Sequence, residues 1–253
     1  MNANYSKVIL TVMFGILLTS VSVRASETDD RIRSSAKDSY VYRTYLKDDS
    51  INTASNDGVV TLTGTVSEES HRSLAQETVA NLPGVKSVDN QLVIKGDQPP
   101  ANSDGWIGTK VKSALFFNRY VSAVNTEVDV TNGVVTLKGH ADSQAQKDLT
   151  GEYAKDIDGV KSVDNQMTIV EVVNKPETPK DNKIDDASIT AQVKMAFLMH
   201  HSTSAFKTGI ETTNGVVTLS GNAVNGAAKD MAAKVAGDVN GVTSVVNNMT
   251  VNP

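Results

Sequence analysis

The pentapeptide GVVTL occurs three times in the chain, at residues 58–62, 133–137 and 215–219. Each copy is followed by a second shared string: GVKSVDNQ from Gly84, GVKSVDNQ again from Gly159, and GVTSVVNN from Gly241. The leading glycines of the two strings lie 26 residues apart in every copy, so nothing is inserted between these landmarks. A fixed internal spacing marks one folded unit, and it constrains the chain to three copies of a small domain. The copies are offset by 75 and then 82 residues, with the seven extra residues outside the landmarks.

The elements of a copy follow from its periodicity. Ile107, Val111, Ala114 and Leu115 stand at i, i+4, i+7 and i+8, one face of a helix, and Ile189, Val193, Ala196 and Phe197 repeat it. Asp57-Gly58, Asn132-Gly133 and Asn214-Gly215 suit a tight turn with positive φ, so Gly58, Gly133 and Gly215 mark β-hairpins. Gly64, Gly139 and Gly221 are expected to close the second strand, and Ser67 and Asp142 to cap a second helix. That helix buries Leu74, Leu149 or Met231, then Leu82, Ile157 or Val239, and is expected to end at Gly84, Gly159 or Gly241. A last strand begins at Val85, Val160 or Val242. The order α-β-β-α-β predicts an α+β fold, three tandem small αββαβ domains with both helices on one sheet face. Val60 and Leu62 alternate with Thr61 and Thr63, so the other face is solvated or covered by a neighbouring copy.

The domains are placed at 26–96, 104–172 and 186–253, with Pro-containing linkers at 97–103 and 173–185. Copy one departs at its start. Over residues 30–47, Ile32, Ala36 and Tyr40 compete with Val41 and Tyr45 for the buried face, which leaves its first helix degenerate and the phase open. Tyr40, Tyr42 and Tyr45 cluster there, as packing residues or as an exposed aromatic patch.

Residues 1–25 read as a signal peptide: Lys7, the eleven-residue apolar run 8–18, and Val23-Arg24-Ala25 before a cleavage site after Ala25. The run is shorter than the roughly 20 residues that span a bilayer. Export to the periplasm is expected. With no cysteine in the sequence there is no acylation site, so a lipoprotein is not expected.

The chain carries 24 basic and 29 acidic residues; removing the leader takes Lys7 and Arg24 and leaves a net charge of −7. With no basic run, this composition argues against nucleic acid as a partner. The four histidines, His71, His140, His200 and His201, have no metal-ligand spacing, and adjacent His200 and His201 read as a solvated pair at a helix end. There is no nucleophile elbow or phosphate-cradling glycine loop. What recurs is core rather than chemistry: Asp89 and Asp164 give way to Val246. No catalytic residue, metal, cofactor or enzymatic activity is expected.

A contact surface has one candidate. Trp106, the only tryptophan, opens the first helix of copy two, and on a helical wheel Lys110 and Phe117 lie beside it while Phe116 points away from the core stripe. Copy three has Leu198 and Met199 where copy two has Phe116 and Phe117. Aromatic side chains beside lysine favour contact with lipid headgroups. Alternatively, the helix ends near Phe116 and the following segment folds over these groups as packing. Both readings stand at this point.

GVVTLTG (58–64), GVVTLKG (133–139) and GVVTLSG (215–221), with the strings from Gly84, Gly159 and Gly241, resemble the BON (bacterial OsmY and nodulation) domain family. The leading WIGTKVKSAL and SITAQVKMAF are similar to its first helix. Together with the leader, the pattern is most similar to exported, OsmY-like periplasmic members, with a third copy. The resemblance implies the αββαβ fold, a cell-envelope location, affinity for phospholipid surfaces, a part in osmotic or envelope stress, and no catalytic residues. A protein-interaction or chaperone-like module binding polypeptide is the alternative.

Overall fold

Three Asx-Gly pairs between alternating runs fold back as three hairpins, each with Asp57, Asn132 or Asn214 at φ 51–52° before a glycine at 78–79°. The computed structural model describes residues 20–96, 99–121, 123–170, 183–201, 203 and 208–251. Most of the expected leader and of the second linker lies outside these residues.

Copy one comprises α1 (Ser20–Asp38), α2 (Tyr40–Thr44), β1 (Ser50–Asn56), β2 (Val59–Val66), α3 (Glu69–Ala80) and β3 (Ser87–Ile94). Copy two comprises α4 (Asp104–Phe117), β4 (Thr126–Thr131), β5 (Val134–Ala141), α5 (Gln144–Lys155), β6 (Ser162–Asn165) and β7 (Thr168–Ile169). Copy three comprises α6 (Asp186–Met199), β8 (Thr208–Thr213), β9 (Val216–Ala223), α7 (Gly226–Gly237), β10 (Ser244–Asn247) and β11 (Thr250–Val251). Each copy is αββαβ, an α+β fold.

The GVVTL strand is central in each sheet, antiparallel to its hairpin partner and parallel to the last strand. The two repeated strings meet at one hydrogen bond, 2.8 Å in all copies: Lys86, Lys161 or Thr243 donates its N–H to the carbonyl of Gly58, Gly133 or Gly215. The constant 26-residue spacing is the length of a crossover that brings these two groups together. Val60, Leu62, Val135, Leu137, Val217 and Leu219 are buried under the helices.

Several local expectations shift. The central strands run two residues beyond Gly64, Gly139 and Gly221. The second helices of copies two and three are capped by Ser143 and Asn225, whose side chains accept the Gln146 and Ala228 amides. Ser67 and Asp142 each lie one residue too early. Asp142 instead donates its N–H to Gln146 Oε1 at 2.7 Å. These helices end at Ala80, Lys155 and Gly237, before Gly84, Gly159 and Gly241.

Each of those glycines is the third residue of a turn closed by Val85, Val160 or Val242 onto Leu82, Ile157 or Val239, and its φ is 88–93°. A Cβ there would stand 2.8 Å from Thr28 Cγ2, 2.9 Å from Ile107 Cδ1 or 2.9 Å from Ile184 Cβ. The first helix, or in copy three the residue leading into it, sits too close for any other residue. The last strands accordingly begin at Ser87, Ser162 and Ser244, two residues after Val85, Val160 and Val242.

One residue ties each first helix to its own hairpin. Asp29, Asp104 and Asp186, separated by the repeat offsets, accept the N–H pairs of Asp57 and Gly58, Asn132 and Gly133, and Asn214 and Gly215 at 2.7–3.0 Å. Asn90, Asn165 and Asn247 likewise donate Nδ2 to helix carbonyls of Arg72, Lys147 and Lys229. Polar residues do recur across the copies, in structural roles.

The phase conflict in copy one resolves as a break. Ser39 ends the first run and caps the second, accepting from Tyr42 N–H and donating to the Ala36 carbonyl at 2.7 Å. Ile32 and Ala36 are buried from α1, and Val41 from α2. The tyrosines are packing residues, with Tyr42 and Tyr45 packed against the core.

The copies share their cores, which single units this small need, because short domains bury too little surface alone. Buried residues of copies one and two form one cluster with Ala187, Ala191, Met195 and Met199 of α6. The opposite face of α6, Ile189, Val193, Ala196 and Phe197, belongs to the core of copy three. Helix α6 is therefore buried on both sides.

Copies two and three meet through reciprocal contacts. Asn118 bridges Val239 and His200 bridges Ile157, antiparallel in both cases. Arg119 donates its N–H to the Asp238 carbonyl at 2.9 Å, and His201 to the Asp156 carbonyl at 2.7 Å. The 82-residue offset interchanges the two arms, so the interface has a local pseudo-twofold axis.

Candidate functional site

Copy two's first helix starts from two anchors. Ser103 Oγ accepts the Trp106 N–H at 3.3 Å, and Asp104 holds the hairpin turn. Trp106 is half-buried against the core. One turn on, Lys110 Nζ lies 4.3 Å from the Trp106 ring centroid and 3.6 Å from Asp158 Oδ2. That geometry is a cation–π contact closed on the far side by a carboxylate. The second oxygen of Asp158 lies 2.8 Å from His201 Nδ1, which belongs to copy three.

The structure joins Trp106 with Lys110 and separates them from the rest of the expected flank. Phe117 is 4% exposed and Met199 also 4%, so neither side chain reaches an external surface. Their burial has a definite cause: Asn240 donates to the Phe117 carbonyl, and the Phe117 ring meets Tyr45 edge-on with centroids 5.2 Å apart. Met199 packs in the cluster shared by the copies. Phe116 is partly open but turned to Tyr45, 4.9 Å between centroids. Leu198 is exposed.

The same positions in copy three look different. Ser188 and Gln192 occupy the places of Trp106 and Lys110, and both are fully buried. Copy one covers them: Val41 donates its N–H to Ser188 Oγ at 3.1 Å, and Tyr45 its hydroxyl to Gln192 Oε1 at 2.9 Å. Tyr40 N–H reaches Asp185 at 2.8 Å, and Lys194 pairs with Glu77 at 2.9 Å. Burial pushes the Tyr45 phenol well up, with Tyr40 beside it adding to the shift.

The histidines are not alike. His200 is buried at 2% exposure, with Nδ1 3.1 Å from Asp156 and its ring edge-on to Tyr153, because the antiparallel bridge to Ile157 draws it into the interface. The expectation of a solvated pair holds for His201 alone. Between α5 and α7 runs a groove of about 460 Å³, lined among others by Leu149, Tyr153, His200, Met231, Lys234 and Val235. Met231, expected on the buried helix face, is exposed there. Tyr153 bonds Asp238 across the interface; burial first, then that carboxylate, pushes its phenol well up. Among the described residues no group of three His, Cys, Asp or Glu could hold a metal, and no helix is long and apolar enough to cross a membrane.

Sequence reasoning missed Asp158, Arg119 and the three hairpin aspartates. The aspartates were visible as a recurrence at the repeat offsets. Arg119, whose guanidinium donates to the Val239 and Val242 carbonyls beyond α7, left no local signal, since its partners lie 120 residues away.

The comparisons agree with this geometry. The BON domain matches the chain over residues 28–96, 103–171 and 185–253. The osmotically-inducible protein Y of Escherichia coli (strain K12) is 32% identical over 146 residues, 58% of this chain and 71% of that protein. Outer membrane lipoprotein DolP of Haemophilus influenzae is 32% identical over 115 residues, 45% of this chain and 59% of DolP. The solved C-terminal domain of CdsD, a structural protein of the Type III secretion system of Chlamydia trachomatis, aligns over 84% of this chain and 96% of its own at 17% identity. Its TM-score of 0.23 is too low to carry an argument. With three matches falling on three αββαβ units built around the repeated strings, the chain belongs to the BON domain family, in three copies.

Proposed function

We propose that this is a non-enzymatic periplasmic protein that associates peripherally with phospholipid surfaces and acts in osmotic or envelope stress. The observation that carries the lipid contact is the Trp106–Lys110 pair on the first helix of copy two. A half-buried indole with an ammonium over its ring presents an amphipathic edge of the type headgroups favour. Relatives described as osmotically inducible and as an outer membrane lipoprotein support the envelope and stress setting. The open Leu198 and half-open Phe116 are secondary contact candidates.

The test is co-sedimentation of the full chain without residues 1–25 with phosphatidylglycerol vesicles at low salt. Binding that falls severalfold in Trp106→Ala supports the reading, and no sedimentation of the wild type overturns it. A second reading, docking of a polypeptide, is favoured by copy three, where the equivalent positions Ser188 and Gln192 hold the Tyr40–Tyr45 segment. A blue shift of Trp106 emission with an unfolded protein, and none with vesicles, would select it.

A further inference from the structure

Asp158 is shared. One oxygen faces the Lys110 ammonium at 3.6 Å, and the other meets His201 Nδ1 at 2.8 Å. Lys110 is largely sequestered, its side chain 16% exposed, between this carboxylate and the Trp106 ring. His201 stands at the rim with its side chain 78% exposed. Among the described residues, the charged groups facing it include Asp156 and Asp158 at the end of α5 and Lys110 of α4, with His200 adjacent in the chain.

The three side chains Lys110, Asp158 and His201 sum to zero charge while His201 is neutral, and to +1 once it is protonated. The imidazolium then competes with Lys110 for one carboxylate, and the lysine is released toward the surface. Copy three provides the internal contrast. The equivalent positions are Gln192, Asn240 and Arg119: two neutral side chains and a guanidinium that stays charged. No titrating set exists at that end of the pseudo-twofold.

We infer that Asp158 positions Lys110 at the Trp106 site and that His201, reaching over from copy three, makes the site's affinity for anionic phospholipid rise on acidification. The lipid end of this rests on the proposed function; the Asp158 relay itself does not. Between about pH 7.5 and about pH 5.5, where histidine side chains ordinarily titrate, wild-type affinity for phosphatidylglycerol vesicles should rise about fivefold, the worth of one added positive charge near an anionic surface. His201→Gln should hold the weaker, neutral-pH value at both ends. Asp158→Asn should already bind at about pH 7.5 as tightly as the wild type does at about pH 5.5, because Lys110 is then released throughout, and should gain further on acidification as His201 takes up its own proton.

A second readout needs no lipid. Trp106 is the only tryptophan, and the Lys110 ammonium sits over its ring, so lipid-free emission should change with pH in the wild type and stay flat in His201→Gln. Because His201 is exposed, its replacement should leave the fold intact. Equal pH responses of wild type and His201→Gln, in either emission or affinity, overturn the relay. Absence of vesicle binding at both pH values overturns the proposed function and the lipid end of the inference together, and the emission arm still decides the relay.

Discussion

Helices α4 and α6 occupy the same place in two copies of one domain, and only one of them keeps an outer face. In α4 that face carries Trp106 and Lys110, and in α6 it carries Ser188 and Gln192 beneath copy one. The repeat unit thus offers one surface twice, and this chain uses it in two ways. On copy three, neutral side chains accept hydrogen bonds from a polypeptide segment and lose all contact with water. On copy two, a charged and aromatic pair stays half-buried at the rim. A duplicated domain escapes redundancy here through a few residues on one helix, while the hairpin and the fold are kept.

The largest effect should come from exchanging those residues. Gln192→Lys places the copy-two residue in a fully buried site where Asn240 stands in place of the Asp158 carboxylate. An unpaired buried charge should cost about 3–5 kcal/mol in chemical denaturation. The reciprocal Lys110→Gln removes a cation–π contact and one ion pair at a rim, and should cost less than about 1 kcal/mol. Equal costs would show that the two faces are equally covered, against the contrast drawn above.

Tyr45 is the next lever, because it touches all three copies: Phe116 and Phe117 of copy two, and Gln192 of copy three. Tyr45→Ala removes the ring packing and should cost about 3 kcal/mol, with faster proteolysis at the junction. Tyr45→Phe keeps the packing and leaves the buried Gln192 oxygen without its donor, for about 1–2 kcal/mol. If the two variants behave alike, the hydroxyl rather than the ring holds copy one in place.

How much of this was legible divides along range in sequence. The hairpins, the central strands and the apolar faces of α4 and α6 follow from patterns within ten residues, and the structure has them. The cover over Ser188 and Gln192 went unread, because it comes from a segment 147 residues away in the chain. A signal did exist: Ala187, Ala191, Met195 and Met199 line the side away from its own sheet, and a helix apolar on two sides is a buried helix. For Phe117 and Met199 the packing alternative holds, since both are buried. Wheel angle shows which side a residue is on, and only tertiary contact shows whether that side is open. His200 needed a partner in another copy, Ile157, and no local rule supplies one.

The pseudo-twofold interface permits a finer comparison. Arg119 and His201 are equivalent, yet Arg119 adds side-chain bonds to the Val239 and Val242 carbonyls past the end of α7, where a cation is favoured. Arg119→Ala should cost about 1–2 kcal/mol. His201→Ala, at an exposed position, should change stability by less than about 0.5 kcal/mol. Thermal unfolding of the pair measures how unequal the two arms are.

The smallest effect concerns what holds copy one's cover in place. Asp29 ties α1 to its hairpin, and α1 carries the α2 segment that lies on α6. The Ser55 hydroxyl, then the Gly58 and Asp57 amides, hold the Asp29 carboxyl below its ordinary value, against an opposing pull from burial. A carboxylate whose folded value is depressed contributes stability above its unfolded value and loses that contribution as pH falls through the folded one. Acidification below the ordinary aspartate range should therefore loosen copy one before the hairpin core. Asp29→Asn should show the loosening already at neutral pH, as faster hydrogen exchange at Asp57, Gly58 and the α6 amides, and should lack the wild type's acid-dependent step. Exchange confined to Asp57 and Gly58 would mean that α2 stays on α6 without α1, held by the contacts of Tyr40, Val41 and Tyr45.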